Sequence, residues 1–357
     1  MDSIIAAAIK GSPQPMAAAA KKPIDFKDVK ITVVGVGGAG CNTIARMHKM
    51  GLQSANTVAV NTDKRHLSII EAGRRLLIGA SMTRGLGAGG FPEVGARCAE
   101  QCRDKLAEVL DGSELVFLTA GMGGGTGTGA APIIAEVAKK QGAIVVAMVT
   151  YPFALERARL QKADWGLERL REVCDTVVII DNNKLVSYVP NLPMNQAFMV
   201  ADTLMARSVK GISDTISLPS LVNIDFADVR SILGNAGVAM ISVGEGKGNG
   251  KVNDAVEGVL KNPLLDVEYN GAKGALIHVA GGPQLTLGEV TKIGEGITDA
   301  FDPHANVIWG ARVEPELGDK VRVTCVATGV TSPQIIGLEQ QQKQAQVDTM
   351  GIRAIRF

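Results

Sequence analysis

The sequence predicts an α/β protein with a Rossmann-like, mostly parallel sheet, a long central helix and a second, smaller α/β domain. In the first half of the chain, short apolar segments rich in β-branched residues alternate with longer segments of helical period. Such alternation is typical of a parallel sheet that helices cover on both faces. After residue 193 the pattern changes to one long helix and then to four more strand-like segments. A length of 357 residues agrees with about two domains.

In the first half, strands and helices are predicted to alternate along the chain. The apolar, β-branched segments predict strands at 30–36, 57–61, 115–119, 143–150 and 176–180. The segments of helical period predict helices at 39–50, 130–141 and 155–174. Gly51 and Gly142 end the first two of these helices, and Pro132 is expected in the first turn of the second.

The second half begins with a predicted helix at 194–218, because Ala201, Met205, Val209 and Ile212 recur along one face. Beyond a polar turn at 223–228, strands are predicted at 239–243, 274–279, 306–312 and 320–328. We therefore divide the chain into an N-terminal arm, a first domain, the central helix, a second domain, and a Gln-rich tether with a terminal peptide. These five parts span 1–22, 23–193, 194–218, 219–331 and 332–357.

Composition and charge exclude several classes of protein. Lys and Arg number 37 against 36 Asp and Glu, a net charge of +1, so no basic excess is available for nucleic acid. The five cysteines are scattered and the four histidines lack metal-ligand spacing, so neither disulfides nor a protein-bound metal site is predicted. The apolar stretch 115–135 contains six glycines and Pro132, which excludes membrane insertion. Because the N-terminus lacks signal-peptide order, a cytoplasmic protein is expected.

Glycine is the unusual component, with 42 residues or about 12% of the chain against about 7% in average proteins. The first cluster, GVGGAG at 35–40, follows a predicted strand and opens a predicted helix. It has the spacing of the dinucleotide fingerprint, and Asp63 lies about 20 residues further on. This spacing favours NAD or another nucleotide, and a tight strand–helix turn without a ligand is the alternative.

A second cluster, GMGGGTGTG at 121–129, also lies between a predicted strand and a predicted helix. Its glycines allow successive backbone N–H groups to turn inward next to a helix N-terminus, which is typical of a phosphate site. No P-loop lysine follows it, and a third glycine turn, GLGAGG, lies at 85–90. Because all three turns are expected at the carboxyl edge of one sheet, a nucleoside triphosphate fits better than a dinucleotide.

The motif GGGTGTG at 123–129 resembles the signature of the tubulin/FtsZ family of GTPases. The resemblance extends from about residue 31 to residue 331 and includes NTD, GLGAGG, NxDFxDV and GAKGALIHVAGG in the family's order. Several details, such as GGAG followed by Cys41 and Asn42, resemble the archaeal members of the cell-division branch. The resemblance implies GTP and GDP as ligands, Mg²⁺ as the cation, GTP hydrolysis, and self-assembly into head-to-tail filaments of the division ring.

The resemblance also implies which residues contact the nucleotide. The first phosphate loop would comprise Gly37, Gly38, Ala39, Gly40, Cys41 and Asn42, with Asn42 reaching the sugar or base. The β- and γ-phosphates would be held by Gly123, Gly124, Gly125, Thr126, Gly127 and Thr128. The γ end would be wrapped by Gly87, Ala88, Gly89 and Gly90.

Five further residues are implied in the contacts to ribose and base. Glu156 and Arg159 would lie at the ribose, although Glu156 is equally explained as one more charge on a solvated helix. Asn182 and Asp202 would contact the guanine edge, because a carboxylate accepts the N1–H and N2–H that adenine lacks. Phe198 would stack on the base, and ordinary helix core is the alternative for this side chain.

The segment NIDFAD at 223–228 has two interpretations. By spacing alone it is a helix start, with Asp225 as N-cap and Asp228 in the first turn. The resemblance implies instead that this loop reaches the γ-phosphate of the adjacent subunit. Asp225 and Asp228 would then orient and polarise the attacking water, assisted by Asn223.

The expected partner is the chain itself, and the apolar and basic tip at 350–357 is a candidate peptide for a membrane-tethering adaptor. An end without a partner is the alternative for this tip. The expected location is the mid-cell division site. Three alternative functions stay open: a tubulin-like GTPase for cell shape, a Rossmann NAD-dependent oxidoreductase, and a GTP-binding adaptor that assembles without turnover. Asp225 and Asp228 argue against the last of these.

Overall fold

The computed structural model describes residues 29–330 except 219, 235–236, 262–270 and 300. The predicted N-terminal arm (1–22) and the tether with its terminal peptide (332–357) lie outside the described residues. The domain boundaries proposed above stay predictions.

The strands of the described chain are β1 (Ile31–Val36), β2 (Asn56–Asn61), β3 (Arg74–Leu77), β4 (Leu115–Gly121), β5 (Ile144–Tyr151), β6 (Thr176–Asp181), β7 (Gly237–Lys247), β8 (Gly274–Gly281), β9 (Asn306–Val313) and β10 (Lys320–Thr328). Their order across the sheet is β3-β2-β1-β4-β5-β6-β7-β10-β8-β9. The first six strands are mutually parallel. β7 begins parallel to β6 and continues as the antiparallel partner of β10, so it joins the parallel sheet to a smaller, mixed one.

The α-helices are α1 (Gly37–Lys49), α2 (Lys64–Ile69), α3 (Ala80–Thr83), α4 (Pro92–Glu100), α5 (Arg103–Leu110), α6 (Thr126–Lys140), α7 (Ala158–Val173), α8 (Asn182–Tyr188), α9 (Met194–Ser217), α10 (Phe226–Leu233), α11 (Lys251–Leu260) and α12 (Leu287–Thr298). Short 3₁₀ turns lie at Ala154–Glu156, Gly248–Gly250 and Pro315–Leu317. None of the helices within the described ranges combines the length and apolar character needed to cross a bilayer.

The parallel sheet is buried on both faces, as its continuously apolar strands predict. On one face, Val33 and Phe117 pack in a core that includes Met205 of the central helix α9. On the other face, Val34 and Leu118 pack in a core with residues of α6 and α7. Neighbouring residues of one strand therefore pack in opposite cores. The loops that follow the parallel strands lie at the carboxyl edge of this doubly covered sheet.

The structure corrects several predicted boundaries. The helix predicted at 39–50 begins at Gly37, inside the first glycine cluster. The helix predicted at 130–141 begins at Thr126, so Pro132 lies in its second turn and not in its first. The helix predicted at 155–174 is divided into a 3₁₀ turn and α7, with Arg157 between them. Glycine is a weak helix former, so the glycine-rich first turns of α1 and α6 were not predicted as helix. In the folded protein, tertiary packing overrides this weak preference.

Several short elements were missing from the prediction. Strand β3 at the sheet edge is only four residues long, and its RRLL sequence has little β-branched character. Helices α2 to α5 and α8 are also short, between four and nine residues. Segments of this length give too few periods for apolar spacing to distinguish a helix from a loop.

Candidate functional site

A cavity of about 830 Å³ opens at the carboxyl ends of the central strands, where Val36 ends β1 and Gly121 ends β4. The central helix α9 forms the opposite wall through Phe198, Ala201 and Asp202. The predicted site residues that line this cavity are Gly38, Ala39, Asn42, Gly124, Gly125, Thr126, Gly127, Glu156, Arg159, Asn182, Phe198 and Asp202. The fold thus brings together residues that are up to 164 positions apart in the chain, from Gly38 to Asp202.

Two helix N-termini meet at one end of the cavity. The N-caps of α1 and α6 are Val36 and Gly125, and neither provides a side-chain cap. The N–H groups of the first turn of each helix therefore have no capping side chain to accept from them. A Cβ atom built on Gly37 would lie 2.9 Å from the backbone nitrogen of Gly127, so the two helix starts are in direct contact. Uncapped N–H groups and the positive ends of two adjacent helix dipoles are the features that favour an anion at this end of the cavity.

Glycines keep this end of the cavity open. Gly38 and Gly124 line the cavity, and a Cβ atom built on either meets no other atom within 4 Å. The space that a side chain would occupy is thus available to a ligand that approaches the backbone closely. This glycine-lined end of the cavity, the glycine cradle, fits a polyphosphate, because phosphate oxygens accept hydrogen bonds from backbone N–H groups at close range.

The two threonines of the second loop have different environments. Thr126 lines the cavity, and its hydroxyl lies 2.7 Å from the hydroxyl of Thr62. The fully buried Thr128 accepts a hydrogen bond of 2.9 Å from the backbone N–H of Gly123 and does not line the cavity. Gly123 has a φ of +89°, which glycine adopts without strain. Thr128 and Gly123 therefore fix the shape of the loop, while Thr126 faces the open space.

Two predicted residues of the first loop are packing residues. Cys41 is fully buried, its Sγ lies 3.6 Å from the Val60 carbonyl oxygen, and burial raises the pKa of its thiol to about 12. A Cβ atom on Gly40 would lie 2.2 Å from the carbonyl oxygen of Thr119. Gly40 thus allows α1 to approach β4, and the Cys41 side chain points into the core and away from the cavity.

The third glycine turn packs beside the second loop and does not line the cavity. It contains the predicted contacts Gly87, Ala88, Gly89 and Gly90, and all four glycines of the turn at 85–90 have positive φ. A Cβ atom on Gly125 would lie 2.8 Å from the Cβ of Ala88, so the two loops touch. Lys162 of α7 donates a hydrogen bond of 2.6 Å to the carbonyl oxygen of Gly90 and lies over the Phe91 ring. The turn is therefore held at the outer side of the anion end.

Acceptor oxygens define the opposite end of the cavity. Asp202 accepts a hydrogen bond of 3.0 Å from the Thr43 hydroxyl, and burial raises the pKa of its carboxyl to about 6. The buried Oδ1 of Asn182 has no hydrogen-bond partner in the described structure. An unpaired buried acceptor and a desolvated carboxylate in one cavity wall favour a ligand that offers N–H donors. This end of the cavity fits a base edge that offers several donors.

The rim carries two aromatic rings and an ion pair. Phe198 is 39% exposed and packs edge-to-face on Phe153, with ring centroids 5.8 Å apart. Glu156 accepts a hydrogen bond of 3.1 Å from the backbone N–H of Phe153 and an ion-paired one of 2.5 Å from Arg159. The predicted stacking residue is therefore at the cavity mouth, with a second aromatic side chain beside it.

Comparisons with known proteins agree with this geometry. A family profile described as "Tubulin/FtsZ family, GTPase domain" matches residues 30–190, and one described as "FtsZ family, C-terminal domain" matches residues 237–331. The chain is 58% identical over 323 residues to "Cell division protein FtsZ 2" of Methanocaldococcus jannaschii, which covers 90% of this chain and 85% of that relative. The chain belongs to the tubulin/FtsZ family. A similar relative, "Cell division protein FtsZ 2" of Halobacterium salinarum, is 52% identical over 90% of this chain and 81% of its own length.

Solved structures of the tubulin/FtsZ family share the fold. The structure titled "FtsZ dimer, empty (M. jannaschii)" superposes with a TM-score of 0.81 at 46% identity, over 86% of this chain and 89% of that chain. A CetZ2 protofilament structure from Haloferax volcanii, at 23% identity and a TM-score of 0.74 over 90% of this chain and 99% of that chain, shows the fold alone. The predicted fold class and family are confirmed, and the NAD-dependent oxidoreductase is disfavoured.

The predicted catalytic loop of this tubulin/FtsZ chain lies apart from the cavity. Asp225 is the N-cap of α10, and Asp225 and Asp228 form a capping box, as the spacing predicts. Asn223 accepts a hydrogen bond of 2.7 Å from the backbone N–H of Ser220. The preceding Val222 pairs with Ala311 of β9, which places the loop on the smaller sheet. None of the three side chains lines the cavity of its own chain.

Some residues of the tubulin/FtsZ site were missed in the sequence. Met122, Thr150, Phe153, Leu155 and Val186 also line the cavity. Thr150 lies at the end of β5, and Phe153 lies just after it. Parallel sheets bind ligands at the carboxyl ends of their strands, so the position of these residues in the sequence could have identified them. His66 contacts Asn42 across the loop after β2, and no sequence pattern indicates this contact.

Proposed function

We propose that this chain is a self-assembling cytoskeletal GTPase of cell division, which binds GTP in the cavity and hydrolyses it between head-to-tail subunits. The observation that carries the proposal is the pairing of two uncapped helix N-termini at one end of the cavity with the acceptors Asn182 and Asp202 at the other. Such a cavity matches a ligand with anionic phosphates at one end and N–H donors at the other.

Within this proposal, each loop has a defined task. Gly38 and Ala39 line the cavity at the start of α1, as do Gly125, Thr126 and Gly127 at the start of α6. Their N–H groups are proposed to donate to the phosphates. Asp202 and Asn182 accept from the guanine N1–H and N2–H, which adenine cannot supply. Phe198 covers the base, and Glu156 with Arg159 closes the side of the ribose. The turn at Gly87–Gly90 lies beyond the second loop, where a γ-phosphate extends.

The expected cation is Mg²⁺, which neutralises charge that develops on the phosphates when it is bound. Among the described residues, no group of three or more His, Cys, Asp or Glu side chains is arranged to hold a metal ion. Mg²⁺ generally keeps several waters and binds through substrate phosphates with few protein ligands. We propose that it enters with the nucleotide, next to Thr126 at the start of α6.

The hydrolytic groups come from a second subunit in this proposal. Asp225 and Asp228 lie on an exposed helix start away from their own cavity, where they have no nucleotide to act on. In a head-to-tail row, the loop of one subunit covers the γ-phosphate of the next, and its carboxylates orient the attacking water. Such a heterologous contact does not close and therefore builds a filament. The relative in the M. jannaschii structure is titled a dimer, which supports self-association.

The location and tail partner are proposals of the same kind. The relatives are named cell division proteins, which supports a place in the division ring at mid-cell. The tip at 350–357, which lies outside the described residues, is proposed to bind a membrane-tethering adaptor. Fluorescent fusion protein in dividing cells distinguishes this role from a cell-shape role, because only the first gives a mid-cell band.

The function is tested by light scattering and phosphate release from purified protein. Three conditions are compared: GTP with Mg²⁺, GTP with a chelator, and ATP with Mg²⁺. We expect assembly and turnover only in the first condition. Assembly that is equal with ATP, or nucleotide binding that is selective for NAD, overturns the proposal.

A further inference from the structure

His66 hydrogen-bonds to two asparagines, one of which lines the cavity. Its Nε2 lies 3.1 Å from Oδ1 of Asn42, and its Nδ1 lies 3.2 Å from Nδ2 of Asn61. Asn42 is exposed and lines the cavity, whereas Asn61 is buried at the end of β2. The imidazole therefore bridges a fixed residue of the sheet and a residue that faces the ligand.

The backbone fixes the polarity of this bridge. Oδ1 of Asn61 accepts hydrogen bonds from the N–H groups of Thr62, at 2.8 Å, and Asp63, at 3.2 Å. The amide of Asn61 must therefore present its NH₂ group to His66, so Nδ1 of His66 is an acceptor. A neutral imidazole that accepts at Nδ1 carries its proton on Nε2. His66 consequently donates this proton to Oδ1 of Asn42.

The hydrogen bond from His66 determines which part of the Asn42 amide is available in the cavity. Because Oδ1 of Asn42 is held by His66, its NH₂ group is the part available to a ligand. The next residue on α1, Thr43, donates to Asp202, so Asn42 is one helix position from a contact of this acceptor, and both Asn42 and Asp202 line the cavity. A donor there suits a purine whose position 6 is a carbonyl oxygen and opposes one whose position 6 is an amino group.

We infer that His66 is a positioning residue for base selectivity: it orients the Asn42 amide so that its NH₂ group selects a 6-oxo purine over a 6-amino purine. This inference rests on the proposed nucleotide site and deepens it. Asp202 selects for donors at N1 and N2, and the His66–Asn42 pair selects for the acceptor at position 6. His66 acts through Asn42 and has no contact with the reacting phosphates.

The test uses the full-length chain and two diphosphates, GDP and the 2,6-diaminopurine riboside diphosphate, titrated by calorimetry. The two probes share ribose, phosphates and the 2-amino group, so their affinity ratio isolates positions 1 and 6. His66→Gln and His66→Glu form a matched pair, because glutamine can donate to Asn42 while an ionised glutamate can only accept. We expect His66→Gln to keep the wild-type ratio and His66→Glu to lower it by about tenfold, the value of one hydrogen bond.

The control is His48→Ala, which removes an exposed histidine from the same helix as Asn42 and should leave both affinities unchanged. If His66→Gln and His66→Glu give the same ratio as the wild type, or weaken both probes equally, the inference is overturned and the nucleotide site stands. If the wild type binds neither probe, the proposed function itself fails. Circular dichroism of each variant identifies a loss of binding that is caused by misfolding.

Discussion

Asp225 and Asp228 each accept a hydrogen bond from the other's backbone N–H at the start of α10. The N–H of Asp228 donates to Oδ1 of Asp225 at 2.7 Å, and the N–H of Asp225 donates to Oδ2 of Asp228 at 3.3 Å. Only one oxygen of each carboxylate takes part in this reciprocal cap. The cap therefore holds two carboxylates in a fixed relation on an exposed loop, and it leaves oxygen atoms for a neighbouring molecule.

The first prediction separates the cap from catalysis. Asn is as good an N-cap as Asp, so Asp225→Asn should fold normally, bind GTP and form filaments. It should lose about a hundredfold in turnover, because a neutral amide cannot polarise the attacking water as a carboxylate does. Phosphate release at saturating GTP measures this loss. Asp254→Asn, an exposed aspartate in the first turn of α11, is the matched control and should hydrolyse GTP like the wild type. A variant of Asp225 that no longer binds GTP would contradict the assigned role.

The second prediction follows from a site shared between molecules. The GTPase rate per molecule should rise with protein concentration and level off once most subunits are in filaments, because each active site needs two subunits. Phosphate release across a dilution series, with assembly followed by light scattering, gives both curves. A rate per molecule that stays constant down to dilute, unassociated protein would show that one chain carries a complete site.

The third prediction concerns the glycine cradle. A methyl group at Gly124 meets no protein atom within 4 Å, so Gly124→Ala should change the free energy of unfolding by less than about 0.5 kcal/mol. The same methyl group occupies space at the anion end of the cavity, so affinity for GTP should fall by about tenfold or more. Gly288→Ala in α12 also meets no atom within 4 Å and should bind GTP normally. Equal GTP affinity in both variants would place the phosphates elsewhere.

The fourth prediction is a pH dependence caused by Asp202. Burial raises the pKa of this carboxyl to about 6, so the free protein protonates it as the pH falls through that value. Only the ionised form accepts from both guanine N–H groups, so affinity for GTP should fall as the pH falls below about 6. Asp202→Asn should bind more weakly and lose this component of the pH profile. Fluorescence polarisation of labelled GDP measures both proteins, and identical pH profiles would exclude Asp202 as the titrating group.

The same carboxyl affects the stability of the nucleotide-free protein in the opposite sense. Its folded-state pKa lies above the ordinary value of 3.8, so the folded protein binds the proton more tightly than the unfolded chain. The stabilising contribution is fully present below the ordinary value and is lost as the pH rises through about 6. Thermal unfolding of the wild type and Asp202→Asn should therefore diverge as the pH is raised across this window, and parallel curves would contradict the shift.

Local sequence patterns were sufficient for the parallel sheet and for the loops of the anion end. A strand such as β1, in which every residue is buried and all but Thr32 and Gly35 are apolar, could be recognised without tertiary information. The glycine clusters marked these loops, and residues of the first two clusters, such as Gly38, Gly124 and Thr126, line the cavity. Cys41 and Thr128 lie in the same loops but point into the protein, and the predicted turn at 87–90 does not line the cavity. The direction of a side chain depends on the packing of its loop, which residue spacing alone does not specify.

The sequence by itself determined the fold class, the family and the chemistry of the loops, because these depend on which residues follow one another along the chain. The tertiary structure decided which side chains from distant parts of the chain come into contact. The hydrogen bond from Thr43 to Asp202 joins residues 159 positions apart, and the contact between His66 and Asn42 depends on how two loops pack at the sheet edge. The first contact arises from the packing of α9 against α1, and the apolar core beneath these helices, which includes Ala201 of the cavity wall, holds them in place.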